Sequence, residues 1–178
     1  MPPAHPVDPP VGLPLGFSDH DHGACRRAAL DRAAARCAEA RLQLTPVRRR
    51  VLEILLEAHA AQGAYDVLER LSAEGMGSQP PVAYRALKFL TDHGFAHRIE
   101  RLNAYVACAH PDAAHEPGFM ICRTCKLVAE APIEPARGAL GRSAAETGFT
   151  IEKTVMEVEG LCPACRDPHS DPDAGPAC

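Results

Sequence analysis

The sequence predicts an α+β protein in two unlike parts. Three observations carry that reading. Four successive stretches place apolar residues at helical spacing, two short alternating segments follow them, and beyond residue 109 strand-like runs appear beside two Cys-x-x-Cys pairs. At 178 residues the chain suits one medium domain or two small ones and can bury its own core. Hydrophobic residues at 46% and charged residues at 24% fit a globular, soluble chain. No apolar run approaches the ~18 residues of a membrane helix, and no basic start leads into an apolar core. Eight cysteines without a secretory signal point to a reducing compartment, the cytoplasm by default, where cysteine clusters bind metal more often than they form disulfides.

Residues 1–24 hold six prolines, with His5, His20 and His22 among aspartates, and are expected to be a flexible leader. The DHDH run could touch a metal, though an acidic tail accounts for it more simply. From Arg26 to Arg41 an Ala-rich helix places Leu30, Ala33, Ala34, Cys37 and Ala38 on one stripe. Thr45-Pro46 then combines an N-cap with a proline at the first helical position. Behind it Val47, Val51, Ile54, Leu55 and Ala58 face inward, Arg48, Arg49 and Arg50 fan around the outside, and Gly63 ends the element. A third helix over about 64–74 turns Val67, Leu68 and Leu71 inward. The fourth, PPVAYRALKFLTDHG, buries Ala83, Ala86, Leu87 and Leu90 and puts Tyr84, Arg85 and Lys88 on the opposite side. FAHRIE and AYVAC read as two strands around a tight turn at Leu102-Asn103. Helices followed by such a hairpin make a winged helix-turn-helix, which sets its recognition helix in the DNA major groove. A merely solvated helix face is the competing account of Tyr84, Arg85 and Lys88.

The winged-helix domain spans 25–108, and a polar link covers 109–117. Residues 118–166 form a small α/β module with an antiparallel sheet: GFMIC, KLVAEAPI and FTIEKTVMEVEGLC are strand-like, with a helix near 135–147. Its strands are short for a self-sufficient core, so burial against a second copy is expected. Residues 167–178 form a tail, and Cys178 within it has no assigned role. Charge follows the same division. Residues 26–101 carry 13 basic against 9 acidic side chains, +4, whereas 102–178 carry 6 against 11, −5. A polyanion-binding module joined to something else fits this asymmetry, and so does an ordinary surface.

Cys122-Arg-Thr-Cys125 and Cys162-Pro-Ala-Cys165 are knuckles separated by 36 residues. Each lets two thiolates reach one cation, and together they complete a tetrahedral S₄ site that selects Zn²⁺ or an iron centre. A redox Cys-x-x-Cys needs only one pair. A two-residue turn at 102–103 would set His97 directly opposite Cys108, with Cβ atoms about 4.5–5.5 Å apart. His115 in the link and Glu130 after the first knuckle could close a second site. Otherwise His97 is a surface strand residue and Cys108 a small buried one. An H-x-E motif upstream of the knuckles, as in zinc deaminases, is absent, and four-ligand sets leave no open position, so no enzyme is expected.

LTPVRRRVLEIL, AYDVLERL, PPVAYRALKFLTDHGFAHRIERLNAYVAC and the knuckles together resemble the ferric uptake regulator superfamily, over residues 26–166. His97-x10-Cys108 followed by His115 and Glu130 resembles the sensory site of its zinc uptake regulator branch. Iron-sensing members carry an HHDH-like cluster where this chain reads HPDAAHEPGFMIC. The resemblance implies a winged helix joined to a dimerisation domain, two Zn²⁺ per chain, a homodimer, and zinc-dependent repression of zinc-uptake genes at a palindromic operator, with no membrane role. Cys122, Cys125, Cys162 and Cys165 would be the structural ligands and His97, Cys108, His115 and Glu130 the regulatory ones. Tyr84 and Arg85 would meet base or groove, and Tyr65 and Lys88 the backbone, Tyr65 by resemblance alone. A peroxide or iron sensor of the same superfamily is the alternative. One departure stands in the recognition helix, where Val82-Ala83 replaces the usual Thr-Val before Tyr-Arg.

Overall fold

The computed structural model describes residues 22–57, 60–109, 111, 117–133 and 138–166. Helices α1 (His22–Glu39), α2 (Pro46–Leu56), α3 (Ala64–Ala73) and α4 (Pro80–Asp92) pack with a three-stranded sheet of β1 (Gln62–Gly63), β2 (Ala96–Ile99) and β3 (Ala104–Ala107) in the order β1-β3-β2. A second sheet, β5-β4-β6, is made from β4 (Pro117–Cys122), β5 (Val128–Pro132) and β6 (Met156–Gly160), with α5 (Ala139–Thr147) before β6 and the short α6 (Pro163–Arg166) after it. Among the described residues no helix is long and apolar enough to cross a membrane. The expected tail and most of the expected leader lie outside the described residues, although α1 begins at His22, inside the stretch read as leader.

Helical periodicity set the first core. Thr45 caps α2, its hydroxyl accepting from the Arg48 N–H at 3.4 Å, with Pro46 at the first helical position. Val51, Leu52, Ile54 and Leu55 of α2 meet Val67 and Leu71 of α3 and Ala83, Ala86, Leu87 and Leu90 of α4 in one cluster. The α1 stripe is rotated from the expected one. Ala29, Ala33 and Cys37, each four residues apart, are buried, while Ala38 is exposed. Helix α2 ends at Leu56, capped at Glu57, well before Gly63. Gly63 instead belongs to β1 and caps α3, its N–H donating to the Asp66 carboxylate at 3.1 Å. A two-residue strand has too few positions to show a period, which is why β1 carries no sequence signal. Gly94, at φ +70°, reverses the chain after α4, and the Phe95 N–H closes on the Leu90 carbonyl at 2.8 Å, leading directly into β2.

The second sheet mixes directions. β4 and β5 pair antiparallel, as expected, but β6 lies parallel to β4 on its other side. The reason is topological: β5 returns the chain to the end where β4 starts, and the connection through α5 crosses to the other edge of β4, so β6 starts at that same end. Strand β6 also begins only at Met156, where it meets Gly118 near the start of β4. A strand extends no further than its partner.

Candidate metal centres and nucleic-acid face

Parallel pairing of β4 and β6 brings the two knuckles together. Cys122 ends β4 in register with Gly160, and the chain leaves both strands at the same sheet edge. Lys126, at φ +61°, completes the first knuckle's turn, with its N–H on the Cys122 carbonyl and the Cys122 N–H on Leu127. Cys165 stands on α6. All four sulfurs lie within 4.8 Å of one another, and Cys125 Sγ and Cys162 Sγ are 3.7 Å apart. A tetrahedron with Zn–S near 2.3 Å has an edge of about 3.8 Å, so the spacing fits zinc. Burial alone pushes the Cys122 thiol up, but the N–H groups of Cys162, Cys125 and Thr124 outweigh it and hold the thiol at about 6. The Cys162 N–H donates to that sulfur at 3.4 Å. Cys125, dominated by burial, is pushed up to about 12. One sulfur is thus prepared as a thiolate, and Cys125 is left to ionise against a cation.

The second cluster joins the two sheets. His97 of β2, Cys108 just beyond β3 and Glu130 of β5 bring ligand atoms within 4.8 Å of one another. His97 Nε2 is 3.6 Å from Glu130 Oε1, and the Cys108 thiol is 4.0 Å from the same oxygen. Glu130 Oε2 accepts the Ala109 N–H at 2.9 Å, and the His97 ring rests on Phe119 at 5.4 Å between centroids. The Glu130 side chain is only 5% exposed. A carboxylate so enclosed is stabilised by a nearby cation or proton donor. His115 lies outside the described residues, so three of the four expected ligands are brought together here.

The expected register of the hairpin is corrected. His97 pairs with Val106, not with Cys108. The turn has four residues, Glu100–Asn103, closed by the Asn103 N–H on the Glu100 carbonyl, with Asn103 left-handed at φ +47°. Lengthening the turn by two moves the partner by two, and side chains alternate with period two. Cys108 is therefore the diagonal neighbour of His97 on the same face, close enough to share a cation.

On α4, Tyr84, Arg85 and Lys88 are exposed, and on α3 Tyr65 is 69% exposed. Lys88 pairs with Asp92 one turn on, at 2.8 Å. The arginines of α2, in contrast, are largely occupied within the fold. Arg48 lies over the Phe89 ring at 3.8 Å, Arg49 pairs with Glu53, and Arg50 reaches Glu53, Glu57 and both oxygens of Glu74. Two partner sets escaped the sequence reading. Arg36 of α1 donates to the carbonyls of His93, at 3.1 Å, and Pro111, tying the end of α4 to the chain beyond Cys108. Glu157 and Glu159 of β6 meet the hairpin turn. The alternating acids of β6 were the only available signal for the second set; Arg36 carried none.

No family model matches the chain. It is 38% identical over 130 residues to the zinc uptake regulation protein of Escherichia coli (strain K12), an alignment covering 72% of this chain and 76% of that relative. Among solved structures, a zinc uptake regulator complexed with zinc and DNA superposes with a TM-score of 0.74 at 36% identity, over 79% of this chain and 95% of the other. Holo XcZur gives 0.67 at 35% identity, over 82% and 99%. The chain belongs to the zinc uptake regulator branch of the ferric uptake regulator superfamily.

Proposed function

We propose that this chain is a zinc-responsive transcriptional repressor of zinc-uptake genes, binding a palindromic operator as a dimer when zinc-loaded. The observation that carries the reading is the convergence of His97, Cys108 and Glu130 across the junction of the two sheets. In this reading α1–α4 with β1–β3 are a winged helix, and β4–β6 with α5 are a dimerisation module. Residues 109–117, containing His115, are the link that supplies the fourth ligand. Cys122, Cys125, Cys162 and Cys165 fasten β4 to β6, which gives two zinc ions per chain. Exposed Phe149, Val155, Met156 and Val158 suit burial against a second copy. The regulator works on DNA, in the cytoplasm, and has no catalytic role, since four protein ligands at each site leave no open position for a substrate.

Bound zinc supplies bonds that join the side chains of the two sheets more strongly than they join alone. His97 and Cys108 hold the hairpin while Glu130 holds the second sheet, so their common arrangement fixes where α4 stands relative to the dimer. Turning a 1:99 equilibrium into 99:1 takes ~5.5 kcal/mol of differential binding, well within reach of a four-ligand site. Arg85 and Tyr84 then read base or groove, and Tyr65 and Lys88 hold phosphate. Lys88 must exchange Asp92 for a phosphate, a small cost for an exposed pair. A soft thiolate in the sensory set argues against the peroxide- or iron-sensing alternative. The test is operator binding on an AT-rich palindrome with and without Zn²⁺, alongside metal content. Binding that ignores zinc, or iron in place of zinc, overturns the reading.

A further inference from the structure

The sheet face that meets the hairpin carries acids at both edges of an apolar strip. Glu130, Phe119 and Glu157 lie side by side across β5, β4 and β6, and Val128, Ile121 and Glu159 form the next row. Phe119, Ile121 and Val128 pack against Ile99 and Val106 of the hairpin. At one edge Glu130 faces His97 and Cys108. At the other, the Glu157 carboxylate accepts two successive backbone N–H groups of the turn, from Glu100 at 2.6 Å and Arg101 at 2.9 Å. The Arg101 guanidinium adds contacts of 3.2 and 3.4 Å to Glu159. The hairpin is therefore held at two ends by different chemistry. One end offers a thiol, an imidazole and a carboxylate, which a cation would unite. The other is already complete, because a carboxylate accepting two adjacent N–H groups is a charge-assisted clamp that needs no metal.

We propose that Glu157 is a positioning residue: it anchors the hairpin's turn to the second sheet whether or not the His97 end is bridged by metal. Release of the His97 end then leaves the hairpin tethered rather than free, and rebinding of zinc starts from a nearly aligned pair of sheets. This contrast between the ends rests on the metal reading given above; the anchor itself rests on the Glu157 contacts alone.

Amide hydrogen exchange, read residue by residue by NMR on the full chain, separates the two ends. The Glu100 and Arg101 amides report the anchor, and the Ala109 amide, which donates to Glu130, reports the other end. In zinc-loaded protein and after partial chelation that leaves one zinc per chain, with zinc content measured in each, the Glu100 and Arg101 amides should stay protected while Ala109 protection falls on chelation. Glu157→Ala should speed Glu100 and Arg101 exchange about tenfold or more in both states, the scale expected for losing hydrogen bonds to a charged group. It should also raise several-fold the zinc needed for half-maximal operator binding. Glu157→Gln, which keeps an acceptor oxygen without its charge, should fall between, and gives the same readout if the alanine variant does not fold. Loss of Glu100 and Arg101 protection in the parent on chelation, or unchanged exchange in both variants, overturns the anchor. If Ala109 ignores chelation while Glu100 and Arg101 remain protected through Glu157, the anchor stands and the metal reading of the His97 cluster fails.

Discussion

The four-cysteine cluster and the His97 cluster use similar side chains for different ends, and the difference lies in what each one joins. Cys122 ends β4, Cys125 stands in the turn that follows it, Cys162 lies between β6 and α6, and Cys165 stands on α6, so any cation they share closes a unit that the β4–β6 ladder already defines. His97, Cys108 and Glu130 lie in or beside two sheets that, among the described residues, are otherwise joined by an apolar strip, a few polar contacts and a bridge between Ala60 and Leu127. A ligand set within one element pair can add stability. Only a set spanning two bodies can also change how they are arranged.

Breaking the first cluster should therefore have the largest and least selective effect. Cys122→Ser or Cys165→Ser should unfold or monomerise the second module, because a structural S₄ site contributes folding energy outright. Sedimentation showing parental dimer content would contradict that. Breaking the second cluster should be selective. Cys108→Ser should remain a folded dimer with one zinc per chain, lose zinc-dependent operator binding, and keep weak, salt-sensitive attachment to any DNA. His97→Ala should match it, and the double variant should add little, since ligands of one site act as a unit. A Cys108→Ser protein that still binds two zincs and still needs zinc at its operator would remove the sensory role. If Cys108 were only a small core residue, its loss would lower thermal stability and leave the zinc response intact.

What the sequence made legible follows the reach of each interaction. Most helix stripes and the two knuckles were readable because their determinants lie within a turn or two of each other. Val51, Ile54 and Leu55 of α2 and Ala83, Ala86, Leu87 and Leu90 of α4 are buried as the period required, with Leu52 buried beside them, while Ala58 lies outside the described residues. The partners of His97 were readable only in part. Its face was set by strand alternation, but its opposite number depended on the length of a turn whose residues suit two or four positions. The two-residue β1, the parallel placement of β6 and the reach of Arg36 to Pro111 depend on packing between distant segments. No local pattern encodes them.

In the proposed reading the exposed face of α4 meets the DNA that the His97 cluster positions it for, so variants of that face should have effects of intermediate size. Arg85→Ala should cost ~1–3 kcal/mol and relax sequence preference, whereas Lys88→Ala should weaken all sequences alike and flatten the salt slope. If Arg85→Ala keeps the parental ratio of operator to random DNA binding, Arg85 does not read bases.

The smallest effect is expected from an ionic network that touches neither cluster. Burial pushes the Glu57 carboxyl up, but hydrogen bonds from Arg70 and Arg50 outweigh it and leave it below its ordinary value. A carboxyl lowered in the folded state binds protons more readily when unfolded. Its stabilising contribution is thus fully present above the unfolded value near 4.3 and disappears as pH falls through the lower folded value. Glu57 and its arginine partners are partly exposed, so the contribution should stay at or below about 1 kcal/mol. Glu57→Gln should melt slightly below the parent from pH 7 to pH 5, and the gap should close as pH drops below about 4. Loss of zinc on acidification affects both proteins equally, so it cancels in the difference. A gap that widens with acid would mean that the network is held by something other than the Glu57 charge.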